Sequence, residues 1–438
     1  MIVRQRRTEL GLLVLSTIVT VVAYGLLNAG QFAEVQNEVL GFFGIVLVLL
    51  LGAHLVVRFT APDADPLLLP IAALLNGIGY VMIARLDPDL AASQSAWTFI
   101  GIGAFAVTLL VGRDLRWLAA YRYTLAVAGV VLLMLPLIPG LGLNINGARI
   151  WLRIGPFTIQ PGEFAKLVLA AFLAGYLTDK RGLLTTANRR IGPLNIPAFR
   201  HFGPLLLALG VALMVMVLQR DLGSSLLFFT LFLVTIYVAT NRAAYVLIGL
   251  SLFAVGSWTA WRLFSHVQRR VTIWLDPFTD AKGAGFQIAE AWFAMADGGL
   301  TGTGIGSGTP TKIPYAPTDM IFAAIGEELG LFGATGILLA FIFLVSAGFR
   351  VAANAEDDFE TLLAAGLTAL LGFQAFIIIG GVLRVLPLTG VTLPFVSYGG
   401  SSLIANYVIL ALLVRISDST HRSERSAEAQ AVAPAEAA

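Results

Sequence analysis

The chain has 438 residues, of which 58% are hydrophobic and 12% charged. A soluble domain carries about 25% charged residues, so a share this low cannot clothe a water-facing surface, and a soluble globular enzyme is excluded. Net charge is only +2, which leaves no electrostatic footprint for nucleic acid. Without Cys there is no disulfide, thiolate nucleophile or Cys metal site, and the four His, at 54, 201, 266 and 421, lack metal-site spacing.

Apolar blocks of the length a bilayer core requires recur along the chain. They fall at 9–29, 39–57, 67–84, 95–112, 123–142, 161–178, 203–219, 222–240, 243–262, 320–349, 361–383 and 395–414. The runs are continuous rather than alternating, which disfavours a transmembrane β-barrel. The fold class predicted is an all-α polytopic membrane protein of about twelve transmembrane helices. The first span follows Arg4, Arg6 and Arg7; it is long for a signal-peptide core and no A-x-A site follows, so it is read as a retained helix. The loops 30–38 and 86–94 carry no Lys or Arg, whereas the alternate loops are rich in them. This places both termini in the cytoplasm and makes 143–160 and 263–319 long outer segments. Gln219-Arg220-Asp221-Leu222 splits two apolar runs and reads as a hairpin. The tail 416–438, rich in Ala, Glu and Ser without an aromatic residue, is expected to be disordered.

Charged groups at membrane depth are costly and mark function. Arg149 and Arg153 lie in the first outer segment, followed by Gln160-Pro161-Gly162-Glu163-Phe164-Ala165-Lys166. Pro161 suits a first helical turn, and Glu163 with Lys166 three residues on forms either a local ion pair or the charged wall of an outward cavity. Arg suits a diphosphate because its planar fork bonds two oxygens at once. Arg220 and Asp221 either make a turn with Asp221 capping the next helix or line the same cavity. In the second outer segment, Arg269 and Arg270 precede an Asp276-Pro277 turn, 287–296 is amphipathic at helical spacing, and 298–308 holds six Gly. Then comes Thr318-Asp319-Met320-Ile321-Phe322, in which Thr318 reads as an N-cap and Asp319 as a dipole-compensating first residue. Glu327 and Glu328 lie roughly 12–14 Å further along a straight helix and must be paired, protonated or cavity-lining; Arg384 is a candidate partner.

These stretches, with Pro387-Leu388-Thr389-Gly390-Val391-Thr392-Leu393-Pro394-Phe395-Val396-Ser397-Tyr398-Gly399-Gly400-Ser401-Ser402, resemble in order and over about 145–405 the SEDS family (shape, elongation, division and sporulation), the RodA and FtsW proteins. The Ser-Tyr-Gly-Gly-Ser-Ser ending is closer to the rod-shape branch. The family core has ten spans, which implies two extra N-terminal helices in 1–62, a ten-helix core in 63–415 with the outer loop 263–319, and the tail 416–438. The resemblance implies a glycosyltransferase that polymerises lipid II, and a class B penicillin-binding protein, the crosslinking transpeptidase, as partner. Asp319 matches the family's essential Asp; Glu163 and Lys166 match its polar pair; Arg149 and Arg153 fall in its outer loop, Glu327 and Glu328 match its Glu pair, and Ser397 belongs to its Ser-Tyr-Gly-Gly signal. Thr303, Pro310 and Arg384 depart from residues common in the family, which weakens any transfer of substrate contacts within 300–317.

Lipid II carries an α-linked diphosphate and the polymer is β-1,4-linked, so a single inverting displacement is expected. Asp319 is the expected base, and Arg149, Arg153 or Arg220 hold the diphosphate, with a divalent cation (Mg or Mn) as a candidate aid and no organic cofactor. Two rival classes stay open: a lipid II flippase and a non-catalytic scaffold for the transpeptidase. So does a role in division rather than elongation.

Overall fold

The structure, a computed structural model, describes residues 2–32, 37–145, 147–155, 157–185, 189–191, 194–196 and 199–432. Helices α1 (Ile2–Phe32) and α2 (Asn37–Thr60) lead into α3 (Leu68–Leu86), α4 (Pro88–Val111), α5 (Arg116–Ala120) and α6 (Arg122–Met134). After a three-stranded sheet follow α7 (Pro161–Thr185), the short strands β4 (Arg189–Ile191) and β5 (Leu194–Ile196), α8 (Phe199–Gln219), α9 (Leu222–Thr240) and α10 (Ala243–Leu263). The rest is α11 (Ser265–Leu275), α12 (Phe286–Gly298), α13 (Ile321–Asn354), α14 (Asp358–Val382) and α15 (Gly400–Val432).

Every expected span overlaps one of these helices, though 123–142 outruns α6 into a 3-10 turn and the first strand, and 395–414 starts before α15; among the described residues eight helices are long and apolar enough by themselves to cross a membrane. The molecule is a polytopic helical membrane protein. Helix starts are set by local chemistry: Asp87 accepts from the backbone of Asp89 and Leu90 ahead of Pro88, so α4 begins seven residues before its apolar block. Asp357 caps α14 in the same way. Helix α14 is buried along almost its whole length and packs against α7, α9, α13 and α15, making it the centre of the bundle. In α10, by contrast, only Tyr245 and Gly249 are buried.

Three expectations are corrected. First, the outer segment 143–160 is not loop: β1 (Gly142–Ile145), β2 (Ala148–Ile154) and β3 (Phe157–Ile159) form an antiparallel sheet with Leu143 opposite Trp151 and Leu152 opposite Ile159. Second, the tail is not disordered from 416, because α15 continues through it to Val432. Its polar residues find partners in the 60–65 turn: Asp418 accepts from the Asp63 backbone at 2.9 Å and Arg425 pairs with Asp63 at 2.8 Å. Third, α13 is not straight. Gly330 sits at φ 65°, ψ −167° within it. A side chain there would collide with the backbone of Leu300 and Gly302, so glycine both permits the break and lets the glycine-rich loop dock on it.

Candidate active site

Asp319 lies in the turn that precedes α13, whose helical residues start at Ile321 after Met320. The Thr318 hydroxyl donates to Tyr315 O at 3.1 Å and makes no side-chain cap. The expected N-cap and dipole roles of this pair are therefore corrected; Asp319 is left outside the helix, half-buried. Burial pushes its carboxyl up to about 6, with the Thr318 hydroxyl and the Arg270 charge offsetting part of that effect. Gly390, at φ 75°, faces it: a Cβ added there would stand 3.4 Å from Oδ2.

The turn is held from behind. Ser397 donates to Thr318 O at 2.6 Å and accepts from the Leu393 backbone at 2.9 Å. The Tyr398 backbone donates to Pro317 O at 2.8 Å. Ser397 is buried, so its place is behind the site rather than in it.

Arg270, named only in passing from the sequence, stands at the centre. It projects from α11, donates through Nη1 to Leu388 O at 2.8 Å, and its charge acts on both Asp221 and Asp319. Burial lowers its own tendency to hold a proton, and the two carboxylates oppose that. Asp221 caps α9 by accepting from the Ser224 backbone at 2.9 Å. Burial raises its pKa, and Glu163 and Arg270 act on it in opposite directions. Arg220 is exposed, with its guanidinium beside the β1–β2 turn: a Cβ on Gly147 would lie 3.9 Å from Nη1. Burial, then Arg220 and Arg270, keep His266 of α11 below the usual imidazole range.

Arg149 and Arg153 alternate with buried Leu152 on β2 and are both exposed. The strand period puts them on one face with Trp151. Among the described residues no ion pair neutralises either of them. These exposed arginines lie on β2, with Arg220 beside the β1–β2 turn, whereas the Asp319 carboxylate comes from the turn before α13.

Glu163 and Lys166 are nearly inaccessible, at 3% and 1% exposure, and pair at 2.8 Å on α7. Lys166 also donates to Gln374 Oε1 at 2.8 Å; Gln374 donates to Thr392 O, and the Thr392 and Ser402 hydroxyls bond at 2.9 Å. The pair is therefore a buried wall under the site, tied to the 383–399 loop that carries Gly390. No sequence periodicity marked Gln374, Thr392 or Ser402 as its partners.

Glu327 and Glu328 are placed elsewhere. Glu328 accepts from Arg85 Nε at 2.8 Å and from the Gly306 backbone at 3.1 Å, and Glu327 accepts from the Thr309 backbone at 2.5 Å. Their own carbonyls accept from Gly304 and Thr303. They secure the glycine-rich loop, and of the three alternatives the sequence left open, paired, protonated or cavity-lining, Glu328 takes the first. Arg384 is not their partner: it stacks on Trp292 at 4.8 Å and donates to Leu275 O.

Four non-glycine residues around this region adopt left-handed backbone: Arg220, Tyr315, Arg384 and Phe395, at φ 57–63°. Such strain persists only where surrounding structure over-determines it, and it gathers at functional sites. Among the described residues no three His, Asp or Glu side chains come together as a cation cage.

A family model described as cell cycle protein, of the FtsW, RodA and SpoVE type, matches residues 66–422. The peptidoglycan glycosyltransferase RodA of Mycobacterium tuberculosis (strain ATCC 25618 / H37Rv) is 46% identical over 434 residues, 96% of this chain and 92% of that protein. Stage V sporulation protein E of Bacillus subtilis (strain 168) is 36% identical over 82% of this chain and 97% of its own length. Among solved structures, a chain of a peptidoglycan synthase complex that coordinates polymerization and crosslinking superposes with TM-score 0.66 at 29% identity, covering 82% of this chain and 98% of its own. The rod shape determining protein RodA of Thermus thermophilus gives TM-score 0.59 at 27% identity, over 82% of this chain and 97% of that one. With these matches added to the polytopic helical bundle and its carboxylate site, the chain belongs to the FtsW, RodA and SpoVE family.

Proposed function

We propose that this chain is a peptidoglycan glycosyltransferase of cell elongation that polymerises lipid II, with Asp319 as general base. The observation that carries the reading is Asp319 itself: a half-buried carboxylate within reach of the Arg270 charge and raised to about 6. A base near 6 is ionised at neutral pH yet more basic than an exposed carboxylate, which suits proton abstraction.

In the proposed step the acceptor 4-hydroxyl oxygen attacks C1 of the donor sugar. The bond from C1 to the diphosphate oxygen breaks, and the electron pair leaves with the undecaprenyl diphosphate. Asp319 takes the hydroxyl proton, and the configuration at C1 inverts from α to β. Arg149, Arg153 and Arg220 balance charge on the diphosphate, for which forked guanidinium donors are suited. Arg270 keeps Asp319 ionised and oriented. The wall of Glu163 and Lys166 fixes the loop that faces Asp319.

The reading places the sheet and α11–α12 outside the cell and both termini in the cytoplasm, and takes a class B penicillin-binding protein as partner. The test is polymerisation of purified lipid II by the detergent-solubilised protein, wild type beside Asp319→Ala, with and without that transpeptidase. Glycan strands from the wild type and a loss of about 10²–10⁴-fold in the variant are expected. Strands at the normal rate from Asp319→Ala refute the base; no strands from the wild type in either condition refute the glycosyltransferase.

A further inference from the structure

The first two helices meet the family core around a polar cleft that the reaction does not use. Ser16, Thr17 and Thr20 of α1, Leu49 and Leu50 of α2, Asn76 and Tyr80 of α3, and Ser95 and Thr98 of α4 line a space of about 650 Å³, open mouth included. These positions lie near mid-length in all four helices, where polar side chains are costly and an unsatisfied one more so. Each of α1, α3 and α4 nevertheless turns at least two toward the same space.

The hydrogen bonds inside the cleft run one way. The hydroxyls of Ser16, Thr17, Thr20 and Ser95 each donate to a backbone carbonyl of their own helix, at 2.8–3.1 Å. The Asn76 amide nitrogen donates to Tyr407 OH at 3.0 Å and to Thr98 Oγ1 at 3.3 Å. The Tyr80 hydroxyl is engaged with Ser95, and what the other groups leave toward the cleft is lone pairs. Asn76 is only 7% exposed, and its Oδ1 has no hydrogen-bond partner among the described residues. The rest of the wall is hydrocarbon.

This pattern selects a ligand. A phosphate or carboxylate brings acceptors to a wall already rich in acceptors, and no Lys, Arg or His lines the cleft. A plain hydrocarbon leaves Asn76 Oδ1 unpaired, at the cost of a buried polar group without its bond. A neutral chain that ends in one hydroxyl satisfies both: its O–H donates to Asn76 Oδ1 and its hydrocarbon covers Leu49, Leu50 and Ile102. We infer that the α1–α4 cleft is a binding site for a membrane-dissolved long-chain alcohol, with Asn76 as its hydroxyl acceptor.

The test uses the full-length protein in lipid nanodiscs and two photoreactive probes, a diazirine-bearing hexadecanol and the matching diazirine-bearing hexadecane. The alcohol is expected to label α1, α3 and α4 peptides at least fivefold more than the hydrocarbon. Tenfold excess unlabelled hexadecanol should suppress that labelling, and Asn76→Leu should abolish the difference between probes. Because Asn76→Leu also loses its bond to Tyr407, Thr17→Leu, which fills the cleft from α1 and leaves Asn76 untouched, is the second variant; it too should remove the alcohol labelling while the unfolding temperature stays near wild type. Equal labelling by both probes, or labelling that survives Thr17→Leu in folded protein, identifies a water-filled or acyl-filled gap and overturns the inference.

Discussion

Ser397 donates its hydroxyl to the carbonyl of Thr318, the residue immediately before Asp319, at 2.6 Å. The same oxygen accepts from the Leu393 backbone, so one side chain joins the turn that carries the proposed base to the loop that faces it. Ser397→Ala leaves a buried carbonyl and a buried N–H unpaired, each worth about 1–3 kcal/mol. A lowered unfolding temperature is expected, together with a fall in kcat at nearly unchanged KM. Ser397→Thr, which restores the oxygen, should recover most of both; a normal kcat in Ser397→Ala would separate this bond from the chemistry.

The rate of polymerisation should follow the ionisation of Asp319. The carboxyl is raised to about 6, and a base works only when deprotonated. Activity is therefore expected to level off above pH 7 and to fall about tenfold per unit below 6. Arg270 opposes the upward shift, so Arg270→Gln should move the midpoint to higher pH as well as lower the plateau. A midpoint that moves down, or stays, breaks the link between these two residues; kcat/KM against pH is the measurement.

The exposed arginines should act on substrate and not on folding. Arg149→Ala, Arg153→Ala and Arg220→Ala are each expected to lower kcat/KM roughly tenfold, the worth of one charged hydrogen bond, at unchanged unfolding temperature. Lysine at these places should restore little, since it presents a point charge and no fork. Full activity in the triple alanine variant would remove them from the diphosphate site.

Glu328 belongs to the foundation of the glycine-rich loop, and its partner is Arg85 of α3. Arg85→Met strands a buried carboxylate, which costs about 3–5 kcal/mol, whereas Arg85→Met with Glu328→Gln removes both charges and should recover most of the loss. Thermal unfolding of the two variants reads the difference. Proteolysis within 299–309 should accelerate in the single variant only; equal sensitivity in both would mean that the pair does not hold this loop.

Much of this was legible in the sequence because the bilayer imposes it. Continuous apolar blocks gave the helices directly, and Asp319, Glu163 and Lys166 stood out as charges next to or within them. What was hidden is long-range or conformational. Arg270 acts through Leu388 O and the two carboxylates, none near it in sequence. The partner of Glu328 lies 243 residues away on α3. Glu327 and Glu328 sit where the helix places them, but their partners, Arg85 and the backbone of Gly306 and Thr309, lie in other segments that spacing along one helix does not reveal. The sheet of 142–159 escaped because its strands are three to seven residues long and carry no clear alternation. In the tail, composition argued for disorder, yet Asp418 and Arg425 lock onto Asp63, a pairing that composition does not encode.

The left-handed backbone at Arg220, Tyr315, Arg384 and Phe395 bears on how the molecule assembles. Each such residue resists its native shape by about 1–3 kcal/mol, and local bonds such as Arg220 N–H to Val217 O and Arg384 N–H to Gly381 O offset only part of it. The turns around Asp319 therefore take form only after α7, α9, α13 and α14 have met and can impose it. The bundle comes first and the chemistry last, so a chain halted partway through assembly presents a membrane protein of nearly full helicity with no reactive centre.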